Sequence, residues 1–137
     1  MGKTPKHEAL LVEDSLLNAL VAIKYLNTVC TVDHTSGGEQ AVEFARAKLY
    51  DIVLMDINLG SGMDGIEATQ RIRALPGYEQ VPILALTGYA KPADKERLLA
   101  NGFTQYLGKP YVEEELVVLI EDVLASGHTQ GGGKGSK

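Results

Sequence analysis

Short apolar runs at residues 9–12, 52–55 and 81–86 lack the polar alternation of a half-exposed strand, which predicts strands covered on both faces, as in a parallel sheet. Residues 103–107 form a weaker fourth run. Residues 29–32 are shorter and carry Cys30 and Thr31, so an edge strand is expected there. Helical patterns separate these runs. Leu16, Leu17, Leu20, Val21 and Ile23 recur at helical spacing after Asp14 and Ser15, either of which can cap. Ser36 and Glu39 have the spacing of a capping box ahead of Ala41, Val42 and Ala45. Ile66, Thr69, Ile72 and Leu75 make a third stripe, closed by Pro76 and Gly77. Pro92 suits a first helical position and Asn101 with Gly102 suits that helix's end, while Leu116, Leu119, Ile120, Val123 and Leu124 line one side of a last helix.

Five strand–helix units in alternation imply an α/β fold, because parallel neighbours need right-handed crossovers that place helices on both faces. The expectation is a single flavodoxin-like (βα)5 doubly wound domain with a five-stranded parallel sheet in the order 2-1-3-4-5. The 137 residues, 45% hydrophobic, supply one core. Residues 1–6 read as an N-terminal extension, 7–126 as the domain, and 127–137 as a flexible Gly-rich tail too poor in apolar residues to offset its ordering entropy.

Charge and composition narrow the partners. The net charge is −5 and the lysines and arginines are scattered, which argues against direct nucleic-acid binding. No apolar run approaches the ~20 residues of a membrane span, and residues 1–8 are polar. Neither membrane insertion nor a signal peptide is expected, and the chain reads as soluble and cytoplasmic. The lone Cys30 excludes an internal disulfide and reads as a packed strand residue.

Chemistry gathers at the strand ends. Glu13 and Asp14 follow the first apolar run, Asp56 follows residues 52–55, Thr87 follows residues 81–86, and Lys109 follows Gly108 after the last strand. In open α/β sheets the binding crevice forms outside the carboxyl ends of the strands, so these side chains converge. Three carboxylates crowded together raise one another's pKa unless a cation neutralises them. Magnesium suits that set, because it takes oxygen ligands and binds one or two carboxylates together with phosphate oxygens. Thr87 supplies a hydroxyl and Lys109 a compact charge for the other phosphoryl oxygens. Asp56, alone at the end of a central strand, is then the candidate nucleophile.

The motifs Leu11-Val12-Glu13-Asp14-Ser15, Val53-Leu54-Met55-Asp56-Ile57-Asn58 with Met63-Asp64-Gly65, Ala85-Leu86-Thr87-Gly88 and Lys109-Pro110 resemble those of receiver domains in response regulators and hybrid histidine kinases. The resemblance runs from residue 7 to about 126. It implies a two-component phosphorelay module, not an enzyme with a separate substrate, that promotes only its own phosphorylation and dephosphorylation. Asp56 would be the phosphoacceptor; Glu13, Asp14, Asp56 and the backbone carbonyl of Asn58 would hold Mg2+, with Mn2+ as a substitute. Thr87, Gly88 and Lys109 would bind the phosphoryl group, Thr87 and Tyr106 would form the switch, and the Lys109-Pro110 peptide would be cis. The implied partners are a sensor histidine kinase or a histidine phosphotransfer protein, and a downstream target or second copy docking on the fourth-helix to fifth-strand face.

One departure stands out. Most receivers carry Met-Pro shortly after the phosphoacceptor, whereas Leu59-Gly60-Ser61-Gly62 fills this loop and lengthens it by one residue, which predicts a more mobile loop and a less reliable Asn58 carbonyl. Gly88 leaves access for a donor. Glu113, Glu114 and Glu115 read as charges favouring the start of a helix, and His7, His34 and His128 as surface or tail residues. Two rivals share part of the pattern. A haloacid-dehalogenase-like phosphatase would need an aspartate where Asn58 stands, and a flavodoxin would need a Ser/Thr/Gly-rich phosphate loop where Glu13 and Asp14 stand.

Overall fold

Side chains along β1 (His7–Val12) divide between two apolar layers, and that division organises the molecule. Ala9 and Leu11 face one layer, Leu10 and Val12 the other, and all four are fully buried. The computed structural model describes residues 6–60, 62–88 and 91–129; residues 1–5 of the expected extension, Ser61, and residues 130–137 of the expected tail lie outside them.

The chain continues through α1 (Leu16–Leu26), β2 (Cys30–Thr35), α2 (Gly38–Ala47), β3 (Ile52–Asp56), α3 (Gly65–Arg73), β4 (Ile83–Thr87), α4 (Pro92–Ala100), β5 (Gln105–Gly108) and α5 (Glu113–Thr129). Every pairing is parallel and the order is β2-β1-β3-β4-β5. The doubly wound (βα)5 topology read from the alternation is therefore the observed one. Ala19, Ala22 and Leu26 of α1 and Leu116, Ile120 and Val123 of α5 cover one face of the sheet. Ala41, Val42 and Ala45 of α2, Ala68 and Ile72 of α3, and Leu98 of α4 cover the other. β3 and β4 are buried at every residue, which is why their sequences show no alternation. No described helix is long and apolar enough to cross a membrane.

Three local details refine the sequence reading. Ser15, not Asp14, caps α1, accepting from the Asn18 N–H at 3.2 Å. The Ser36–Glu39 capping box does not form: Gly37 is the N-cap of α2, without a side-chain bond, and Glu39 instead accepts from the Met63 N–H at 3.3 Å. Helix α5 runs to Thr129, past the domain boundary placed at Ser126. The leucine stripe of α1 also faces outward. Leu17 is 72% exposed and Leu16 and Leu20 are exposed beside it, because Ala19, Ala22 and Leu26 occupy the inner face.

Candidate functional site

Parallel pairing brings all the strand carboxyl ends to one edge of the sheet, and register decides which residues meet there. Val12 pairs with Met55, so Glu13 lies next to Asp56 across the two central strands. Asp56 pairs with Leu86 and Thr87 with Gly108, which puts Thr87 one strand over and brings Lys109 past the end of β5. Lys109 then reaches back across the sheet. Its Nζ lies 3.0 Å from Glu13 Oε1 and 3.1 Å from Asp56 Oδ2, joining positions 96 and 53 residues away in sequence.

Burial gives this cluster its electrostatic character. Glu13 is 1% and Asp56 4% exposed. Burial pushes the Glu13 carboxyl above its ordinary range, the adjoining Asp56 adds to the rise, and Lys109 opposes it without cancelling it. For Lys109, burial alone would lower the pKa, but the hydrogen bond to Glu13 and the Asp56 charge outweigh it and leave the ammonium above its ordinary value. Asp14 is exposed, and ligand atoms of Glu13, Asp14 and Asp56 lie within 4.8 Å of one another. One ammonium against three carboxylates leaves an excess of negative charge, and oxygen donors at this spacing with one open side fit a hard divalent cation.

Neighbouring segments hold the acids in place. The Asn58 N–H donates to Asp56 Oδ1 at 3.0 Å, the Ser15 N–H to Glu13 Oε2 at 3.2 Å, and the Lys109 N–H to the Thr87 carbonyl at 2.7 Å. Thr87 is buried at the end of β4, and the Lys109–Pro110 peptide is cis. Apart from its chain neighbours, no described residue has an atom within 4 Å of where a Cβ on Gly88 would stand.

The long β3–α3 loop is anchored at both flanks. Leu59 is buried in the core and the Glu39 carboxylate takes the Met63 N–H. Gly60 has a φ of 73°, a left-handed conformation that favours glycine, and a Cβ there would lie 3.0 Å from Asp14 Oδ2. At Gly65 a Cβ would collide with the Asp56 carbonyl oxygen. Glycine at the end of the Met-Asp-Gly motif thus lets α3 start against the strand that carries Asp56.

Tyr106 is half-buried on β5 and packs against the core layer of α2, α3 and α4. Cys30 is buried and its thiol is pushed up to about 11 by burial, which makes it a poor nucleophile at neutral pH. His7 stands 4.0 Å from Asp51 Oδ2 in an exposed pair. The surface reading of His34 needs correction: it is half-buried, with Nε2 2.8 Å from the Glu13 carbonyl oxygen. Neither that contact nor the outward leucines of α1 had a local signal, since both depend on how distant elements pack.

Comparison with known proteins places this geometry. The family model for the response regulator receiver domain matches residues 9–121. Over 112 residues the chain is 39% identical to the signal transduction histidine-protein kinase BarA of Escherichia coli, an alignment covering 81% of this chain and 12% of the kinase. It is 38% identical over 116 residues to the two-component response regulator ORR41 of Oryza sativa, covering 81% of this chain and 89% of that protein. Among solved structures, the receiver domain of the sensor histidine kinase PA1611 from Pseudomonas aeruginosa superposes with a TM-score of 0.81 at 37% identity, over 89% of this chain and all of that one. That structure has a magnesium ion coordinated in its active site cleft.

Proposed function

Because the chain belongs to the response regulator receiver domain family, a signalling module of two-component systems, we propose that Asp56 accepts a phosphoryl group from a phosphohistidine on a sensor histidine kinase or histidine phosphotransfer protein. The observation that carries this reading is the Lys109 bridge to Glu13 and Asp56 at 3.0 and 3.1 Å. An Asp56 carboxylate oxygen attacks phosphorus in line. The new O–P bond forms as the P–N bond to the donor breaks, and the imidazole nitrogen leaves with the bonding pair and takes a proton from solvent. Lys109 and the Thr87 hydroxyl meet the charge spread over the remaining phosphoryl oxygens. Glu13, Asp14, Asp56 and the Asn58 carbonyl would hold Mg2+, or Mn2+ in its place. When bound, the ion offsets the mutual repulsion of carboxylates and phosphoryl oxygens.

Water later cleaves the aspartyl phosphate, returning Asp56 as a carboxylate and releasing phosphate. No separate substrate turns over, so the domain signals and does not act as a conventional enzyme. Phosphorylation draws Thr87 toward the new group and lets Tyr106 turn inward, changing the face formed by α4, β5 and α5. A downstream protein or a second copy reads that face, in a cytoplasmic setting. The donor approaches over α1. Leu16, Leu17 and Leu20 are exposed there, and a groove lined by Asn18, Val21, Pro110 and Tyr111 includes Lys109, the lysine that bridges Glu13 and Asp56. Leu20→Glu should slow transfer from a phosphohistidine protein and leave labelling by acetyl phosphate unchanged; equal slowing with both donors would remove α1 as the approach surface.

Intact mass after incubation with acetyl phosphate, with and without magnesium, tests the central reading. One phosphoryl group is gained with magnesium and none in Asp56→Asn. Persistent labelling of that variant would move the acceptor elsewhere. No labelling of the folded parent protein would make this a receiver that acts by binding alone.

A further inference from the structure

Asp14 is exposed, and its place in the acidic cluster depends on how the backbone leaves β1. The last rung between β1 and β2 is the Glu13 N–H bonded to the Thr35 carbonyl at 3.0 Å. The carbonyl that follows, on Glu13, is met by a side chain. His34 lies beside Leu11 in the β1–β2 register, and its Nε2 reaches the Glu13 oxygen at 2.8 Å. A carbonyl oxygen only accepts, so Nε2 carries the proton.

That carbonyl belongs to the same rigid plane as the Asp14 N–H. Holding the oxygen restrains the plane, and with it the place of the Asp14 Cα from which the side chain departs. The Ser15 N–H on Glu13 Oε2 holds the next turn of chain, and Asp14 Oδ2 lies 3.0 Å from where a Cβ on Gly60 would stand, so a rotation of this peptide would carry Asp14 away from Glu13 and Asp56. We infer that His34 is a positioning residue for the cation site, holding the Glu13–Asp14 peptide so that Asp14 shares a ligand sphere with Glu13 and Asp56. This rests on the functional reading given above and adds a residue from the edge strand to it.

His34→Met removes the donor at similar length, and His34→Gln retains an N–H near the same place. Magnesium affinity is read by calorimetry on the full chain, the acetyl phosphate labelling rate at saturating magnesium by mass, and folding by thermal melts. His34→Met should weaken magnesium binding about tenfold, as loss of a partner that orients a ligand does. Its labelling rate at saturating magnesium should approach that of the parent, and His34→Gln should recover most of the affinity. Should His34→Met fail to fold, His34→Val lacks the donor and suits a strand. Magnesium binding by the donor-less variant equal to the parent's would overturn the inference, as would equal weakening in His34→Gln. A parent chain that binds no magnesium would instead sink the functional reading itself.

Discussion

Each end of the sheet holds a lysine between two carboxylates. At the carboxyl end Lys109 lies 3.0 Å from Glu13 and 3.1 Å from Asp56; at the opposite end Lys48 lies 3.0 Å from Glu8 and 3.3 Å from Asp33. Residue types and distances are nearly the same, yet the environments differ. Glu13 and Asp56 side chains are 2% and 6% exposed, Glu8 and Asp33 40% and 38%. Water screens the second cluster, and such pairs contribute little. There the Tyr50 hydroxyl donates to Asp33 Oδ2 at 2.7 Å and the Lys48 ammonium sits 5.2 Å from the Tyr50 ring centre, so the charges are absorbed into a surface network. In the first cluster Glu13 and Asp56 are desolvated, and Asp14 adds a third carboxylate. Burial, not the composition of the triad, separates the two clusters.

The comparison predicts unequal responses to equivalent changes. Lys109→Ala should keep the fold and cut the acetyl phosphate labelling rate about 100-fold, the scale of losing one charge-stabilising donor. Lys48→Ala should leave that rate unchanged. Equal losses at the two lysines, with both variants folded by circular dichroism, would mean that overall charge and not burial controls the chemistry.

Acid should act on the Lys48 end in a defined direction. The Tyr50 hydrogen bond, aided by Lys48 and opposed by partial burial, holds the Asp33 carboxyl below its ordinary range. A carboxyl depressed in the folded state contributes stability above its unfolded value, about 4, and loses it as pH falls further through the folded value. Melts at pH 7 and pH 3 should therefore show a smaller acid-induced drop for Asp33→Asn than for the parent. The difference should be small, since the pair is solvated, and a drop of equal size would show that the Tyr50 bond does not bias the carboxyl.

Much of this was legible along the chain. β3 and β4 are buried on both faces and read as unbroken apolar runs; Asp56 and Thr87 stand at their ends, so motif and strand end coincide. Pro92, Asn101 and Gly102 mark the ends of α4 as their backbone chemistry dictates. Failures came where a local pattern had a distant competitor. Ser36 and Glu39 have capping spacing, but Glu39 is claimed by Met63, 24 residues further on. Leu16, Leu17 and Leu20 of α1 mark an apolar face, yet Ala19, Ala22 and Leu26 take the side against the sheet and leave those three in solvent.

The sequence by itself determined the alternation of strands and helices, and with it the end of the sheet where the acids, the threonine and the lysine would gather, because each of these follows a run that local chemistry makes a strand. Tertiary structure alone decided which lysine is desolvated against which acids, and that His34 of an edge strand holds the Glu13 carbonyl. Desolvation and peptide orientation are set by atoms many residues away, and no short stretch of chain contains them.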